Sequence, residues 1–211
     1  MQSSISLFAK DSALKKSRIF PTRIGITGSP GTGKKSVAIE LAKISGLNLL
    51  LVNDFAIKHG LGAMRDKEFV VDLERARRAI DTDGRIICGH LLPYIVPKSK
   101  LDFVVVLRCS PVVLKKRYAK RGYSPEKISE NLEAEMIGVI SEKALSVYGS
   151  KKLIEFNTTR TRLPVRVAKR VFEMMKGDSA PTFGRVDWLS SQRSHGALIK
   201  SFSRLKPITK P

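Results

Sequence analysis

The stretch Gly28-Ser-Pro-Gly-Thr-Gly33-Lys34-Lys35-Ser36 follows the apolar run Arg23–Thr27 and precedes Val37, Leu41 and Ile44 at helical spacing. Strand, glycine-rich turn and helix in that order form a phosphate-binding loop, because glycines let backbone N–H groups converge on phosphate oxygens. The following helix adds the positive end of its dipole. Lys34 stands where the lysine of such a loop reaches the β- and γ-phosphates. The hydroxyl that usually follows it at once, to hold magnesium, comes one residue late, as Ser36, and Lys35 occupies its place. Lys35 either adds charge near the phosphates or points outward from the first helical turn. Gly31, Gly33, Lys34, Lys35 and Ser36 are therefore the candidate ATP-binding residues, with Ser36 the candidate Mg2+ ligand.

The rest of the chain repeats the alternation. Leu47–Val52 and Phe103-Val-Val-Val-Leu107 are continuous apolar runs, the mark of strands buried on both faces. Arg85–Cys88 and Leu153–Asn157 complete five strands. Helices are expected over Asp54–His59, Leu73–Asp81, Ser110-Pro111 to Arg121, Ser124-Pro125 to about Tyr148, and Pro164–Met175. Strands alternating with helices imply an α/β fold, a five-stranded parallel sheet flanked by helices. The expected organisation is a basic arm over 1–22, the nucleotide-binding domain over 23–176 and a basic extension over 177–211. Trp188, Leu189 and Phe202 suggest that part of the extension docks on the core.

Lys and Arg number 39 against 19 Asp and Glu, a net charge of +20. Residues 1–22 carry +3 and residues 177–211 carry +4, so +13 belongs to the domain between them. That surplus favours acidic partners, RNA above all. No apolar run is long enough to cross a membrane. No secretory signal is legible, and Cys88 and Cys109 read as buried reduced thiols, so a cytoplasmic protein is expected, or a nuclear one in a eukaryote.

With the loop, Arg108-Cys-Ser-Pro-Val-Val-Leu-Lys-Lys-Arg117-Tyr-Ala-Lys-Arg121-Gly-Tyr123 and Asn131-Leu-Glu-Ala-Glu135 narrow the field. From about Arg23 to Met175 the chain resembles the archaeal and nuclear adenylate kinase family, P-loop monophosphate kinases with ATPase activity linked to maturation of the small ribosomal subunit. The resemblance implies ATP and Mg2+ as cofactors and AMP as acceptor. It implies a ribosomal protein and small-subunit rRNA as partners. It also implies a monophosphate-binding segment near 53–78 and a lid near 120–130, with Arg121 contacting nucleotide.

Arg117 and Arg121 lie four apart, on one helix face, where guanidinium groups suit a transferring phosphoryl group. The family motif after the third strand ends in histidine, and His90 matches it. Cys88 replaces the aspartate that often precedes, leaving Asp54 as a weak metal-ligand candidate. Lys34, Arg121 and His90 are the expected catalytic residues. Arg65, Arg75, Arg77 and Arg78 are candidate cations for the AMP phosphate, with no choice possible among them. The alternatives are a nucleotide-controlled ribosome-assembly factor with incidental kinase activity, and a kinase for another small acceptor.

Overall fold

A computed structural model describes residues 21–65, 68–160, 164–177 and 182–190. Residues 1–20 of the N-terminal arm and Phe202 lie outside the described residues. Five parallel strands form the central sheet: β1 (Ile24–Thr27), β2 (Asn48–Leu51), β5 (Arg85–Cys88), β6 (Phe103–Arg108) and β7 (Leu153–Asn157), in the order β2-β5-β1-β6-β7. This is the expected fold. The three inner strands β5, β1 and β6 are almost wholly buried, which is why their sequences are apolar without alternation.

Alternate residues of each strand feed opposite faces. Ile24, Ile26, Val105 and Leu107 pack against helices α1 (Lys34–Ser45) and α8 (Pro164–Met175). Ile87, Val104 and Val106 face the other layer, made by α2 (Val52–Lys58), α3 (Leu73–Ala79), α4 (Leu92–Ile95) and α7 (Val139–Tyr148). A third, smaller cluster joins Cys109, Leu114, Tyr118 and Leu132 between α5 (Pro111–Lys120) and α6 (Pro125–Met136). Both cysteines are buried and free.

One expectation needs correction, and one pair of strands was not foreseen. The long helix from Pro125 to Tyr148 is two helices, α6 and α7, separated by Ile137 and Gly138. Gly138 has φ 71°, a left-handed conformation that ends one helix and caps the next. The segment between α2 and α3 also holds an antiparallel hairpin, β3 (Gly62–Arg65) with β4 (Glu68–Val71), that the sequence did not announce. Its strands are largely exposed, so little apolar alternation marks them.

Candidate active site

All five strands are parallel and end at one edge, and there the loops after β1, β2 and β5 meet. Gly28 leaves β1 with its Cα against β6. A Cβ there would lie 2.1 Å from the carbonyl oxygen of Leu107, so only glycine fits. The loop is then held from behind by α5. The Tyr118 hydroxyl donates to the Pro30 carbonyl (2.6 Å) and Arg117 Nη1 to the Gly31 carbonyl (2.7 Å). Arg117 thus braces the loop backbone, while Arg121, one turn on, lines the cavity in front of it.

That cavity, about 290 Å3, is walled by Gly31, Gly33, Lys34, Lys35, Ser36, Asn53, Asp54, Cys88, His90 and Arg121, among others. All the sequence-predicted nucleotide residues are therefore together. The N-terminus of α1 opens into it with Gly33 at the cap, and among the described residues no side chain caps that end or supplies an acid to its first turn. First-turn N–H groups left so are donors for an anion. Lys34 Nζ donates to the Ser29 carbonyl (2.8 Å), across the mouth of the loop. Burial pushes its pKa down to about 8, against the pull of the Glu135 carboxylate. A triphosphate fits this set: converging amides, a lysine short of partners for its charge, and Arg121 opposite.

The metal has a thinner set. Among the described residues no group of three or more His, Cys, Asp or Glu side chains gathers to hold an ion. Cys88 holds its proton, burial having raised its pKa to about 11. Ser36 and Asp54 line the cavity, but Asp54 pairs with Lys35 at 3.2 Å, both side chains mostly exposed. Lys35 therefore turns its charge to a carboxylate on the cavity wall. Mg2+ would take at most Ser36 and Asp54 from the chain and the rest of its shell from phosphate and water.

A second cavity, about 970 Å3, lies beside the first, between the β3–β4 hairpin and α6. Pro30, Asn53 and His90 line both, so the two spaces meet at His90. Burial first, and the charge of Lys34 second, push the His90 pKa down to about 4, which leaves a neutral imidazole at neutral pH. The wall of the larger cavity is mixed: Phe69, Val70, Leu73 and Tyr123 are apolar or aromatic, and Glu68, Glu126, Lys127 and Glu130 are charged. An ion pair from Lys127 to Glu68 ties α6 to the hairpin across it. None of the four candidate arginines lines this space. Arg65 and Arg75 border a separate hollow beside the hairpin, Arg77 donates to the Tyr94 carbonyl and pairs with Glu74, and Arg78 is exposed. The 120–130 segment is a turn through Gly122 followed by the first half of α6.

From the sequence alone, Asn53, Ser29 and Glu135 carry no role of their own. The Ser29 hydroxyl donates to Glu135 Oε2 (2.6 Å), a buried carboxylate brought from α6. The available signal was spacing: Ser129, Leu132 and Glu135 recur every three residues and share the buried face of that helix.

Comparison with known proteins decides the family. The protein named "Putative adenylate kinase" of Archaeoglobus fulgidus is 40% identical over 172 residues, 79% of this chain and 92% of that protein. The protein of the same name from Thermococcus kodakarensis is 32% identical over 169 residues, 78% and 92% of the two chains. The chain belongs to this adenylate kinase family. A family model described as an AAA domain matches residues 24–138. Among solved structures, shikimate kinase from Acinetobacter baumannii, in complex with shikimate, covers 77% of this chain with 96% of its own, at a TM-score of 0.54 and 16% identity. YorR protein from Bacillus subtilis, in complex with phosphorylated GDP, matches at a TM-score of 0.50 and 20% identity, over 74% and 96% of the chains. These two likenesses bear on the fold alone: a P-loop kinase sheet. The chain is thus a kinase-like phosphotransferase of the nucleotide kinase type. No helix among the described residues is long and apolar enough to cross a membrane.

Proposed function

We propose that this kinase transfers the terminal phosphoryl group of ATP to AMP, with slow ATP hydrolysis when water takes the acceptor place. The observation that carries this reading is the junction at His90, where the phosphate-loop cavity opens into a second space large enough for a nucleotide. ATP would lay its phosphates along the loop amides, Lys34 and Arg121, and the acceptor would enter from the hairpin side. Phosphoryl transfer of this kind needs positioning and charge stabilisation and no protein nucleophile. The Arg121 guanidinium suits charge spread over the transferring group. Neutral His90, which lines both cavities, would hydrogen-bond the incoming oxygen, whether of AMP or of water. Mg2+, when bound, supplies charge neutralisation between the phosphates; Ser36 and Asp54 are the chain's candidates to hold it.

The apolar and aromatic side of the acceptor cavity suits a nucleobase, and its carboxylates suit an amino-bearing base such as adenine. With no arginine on that wall among the described residues, the acceptor phosphate is read at the His90 end, toward Lys34 and Arg121. ADP formation measured in a coupled assay, with AMP, with other monophosphates and with no acceptor, tests this directly. Strong stimulation by AMP over the acceptor-free rate supports it; ADP formation indifferent to every monophosphate contradicts it.

The charge favours a second role. A surplus of +13 outside the basic termini exceeds what two nucleotides require. We read it as a surface for the assembling small ribosomal subunit, its rRNA and a ribosomal protein, on which nucleotide state would act.

A further inference from the structure

After α8 the chain returns to the sheet and is stitched down at three places. The Glu155 N–H, on edge strand β7, donates to the Thr182 carbonyl (2.8 Å), and Glu155 Oε2 accepts from the N–H groups of Arg185 (2.9 Å) and Val186 (3.0 Å). The indole Nε1–H of Trp188, 9% exposed, then donates to Glu135 Oε1 (3.0 Å). That same oxygen accepts from Arg108 Nε (2.9 Å) and the Cys109 N–H (3.0 Å), while Oε2 takes the Ser29 hydroxyl. One carboxylate, 1% exposed, therefore stands between the C-terminal segment and the phosphate-binding loop.

Ser29 is the residue on which the loop turns. Its carbonyl accepts from Lys34 Nζ, from the Thr32 hydroxyl (2.9 Å) and from the Thr32 N–H (3.3 Å). A phosphate that draws Lys34 away from this carbonyl changes the partners of the very residue whose hydroxyl Glu135 holds. Glu135 and Trp188 touch neither cavity; Ser29, which lines the larger one, is the loop residue that Glu135 hydrogen-bonds.

We propose that Glu135 and Trp188 are positioning residues for the phosphate-binding loop, and that the 182–190 segment and ATP binding are coupled through the Trp188–Glu135–Ser29 chain. Coupling of this kind is reciprocal: docking of the segment favours the loop geometry that binds phosphate, and phosphate favours docking. The proposal rests on the reading that the loop binds ATP, and it assigns a nucleotide-linked function to the segment that follows the last helix.

Trp188 is the sole tryptophan of the chain, so its fluorescence reports the coupling without a label. ATP is titrated into the full chain while emission and calorimetric heat are followed together. The expected result is an emission change that saturates with the heat, falls to less than a third of its size in Ser29→Ala, and persists when 191–211 are removed. Trp188→Phe keeps an aromatic side chain and removes the N–H; it should weaken ATP binding three- to thirtyfold with little loss of kcat at saturation. An unchanged emission on ATP binding, an equal response in Ser29→Ala, or wild-type ATP affinity in Trp188→Phe would each overturn the proposal. Absence of calorimetric binding to the wild type overturns both it and the ATP-binding reading beneath it. Should Trp188→Phe fail to fold, the wild-type and Ser29→Ala titrations still decide.

Discussion

Lys34 sits at the floor of the phosphate cavity with a pKa of about 8, lowered chiefly by burial. Phosphate favours the charged ammonium, so binding raises this pKa again. Below pH 8 the lysine is already charged and affinity for ATP is flat. Above pH 8 binding must take up a proton, and affinity falls toward about tenfold per pH unit until the pKa of the bound state is reached. ATP titrations from pH 7 to pH 9.5 should show that decline in the wild type. Lys34→Ala should bind more weakly by roughly 1.5–3 kcal/mol at pH 7 and lose the decline. A flat wild-type profile would remove Lys34 from the phosphates. His90 and Lys34 share a cause, burial at the same junction, and it acts on both in one direction: each is pushed toward its neutral form.

At the scale of elements, the break between α6 and α7 depends on one residue. A Cβ at Gly138 would lie 3.0 Å from the Ser141 hydroxyl, which itself accepts from Arg108 Nη1, and the backbone there is left-handed. Gly138→Ala should cost about 1–2 kcal/mol from the backbone alone and lower the Tm by roughly 2–8 °C, with Gly138→Asn milder. An unchanged Tm would mean that the break tolerates a side chain. This break also shows where sequence reading stops. The helical spacing of Leu132, Ala144 and Tyr148 runs across Gly138, and an isolated glycine within such a pattern is tolerated often enough to be passed over. The sheet was legible because β1, β5 and β6 are buried on both faces, and the loop because its chemistry is local. The β3–β4 hairpin was not, since its exposed strands carry Met64, Arg65 and Glu68 without regular alternation. The role of Glu135 was not legible within its motif: a carboxylate's partners, Arg108, Ser29 and Trp188, are distant in sequence and come together only in the fold. The docking expected of Trp188 is observed.

For the whole molecule, charge and nucleotide chemistry meet in one chain. The 182–190 segment belongs structurally to the core, so a truncation that tests the basic tail should follow Ser190. Residues 191–211 hold five Lys and Arg and no Asp or Glu. If the basic surface meets RNA phosphates, binding should weaken steeply with salt, with a log–log slope of about 0.7–0.9 per phosphate contact. Removing 191–211 should reduce that slope and leave ATP affinity intact, measured by salt titration of RNA binding beside calorimetry with ATP. Weak, salt-insensitive binding by the full chain would leave a small-molecule kinase with a basic surface.

In the proposed reaction the phosphoryl group passes from the loop cavity to the hairpin-side cavity at His90. Transfer of a label from the γ-phosphate of ATP tests it most directly. In the presence of AMP the wild-type chain is predicted to place the label in ADP far faster than in inorganic phosphate, and Lys34→Ala to lose most of that transfer. Label found only in inorganic phosphate, at a rate that AMP does not change, would contradict the account.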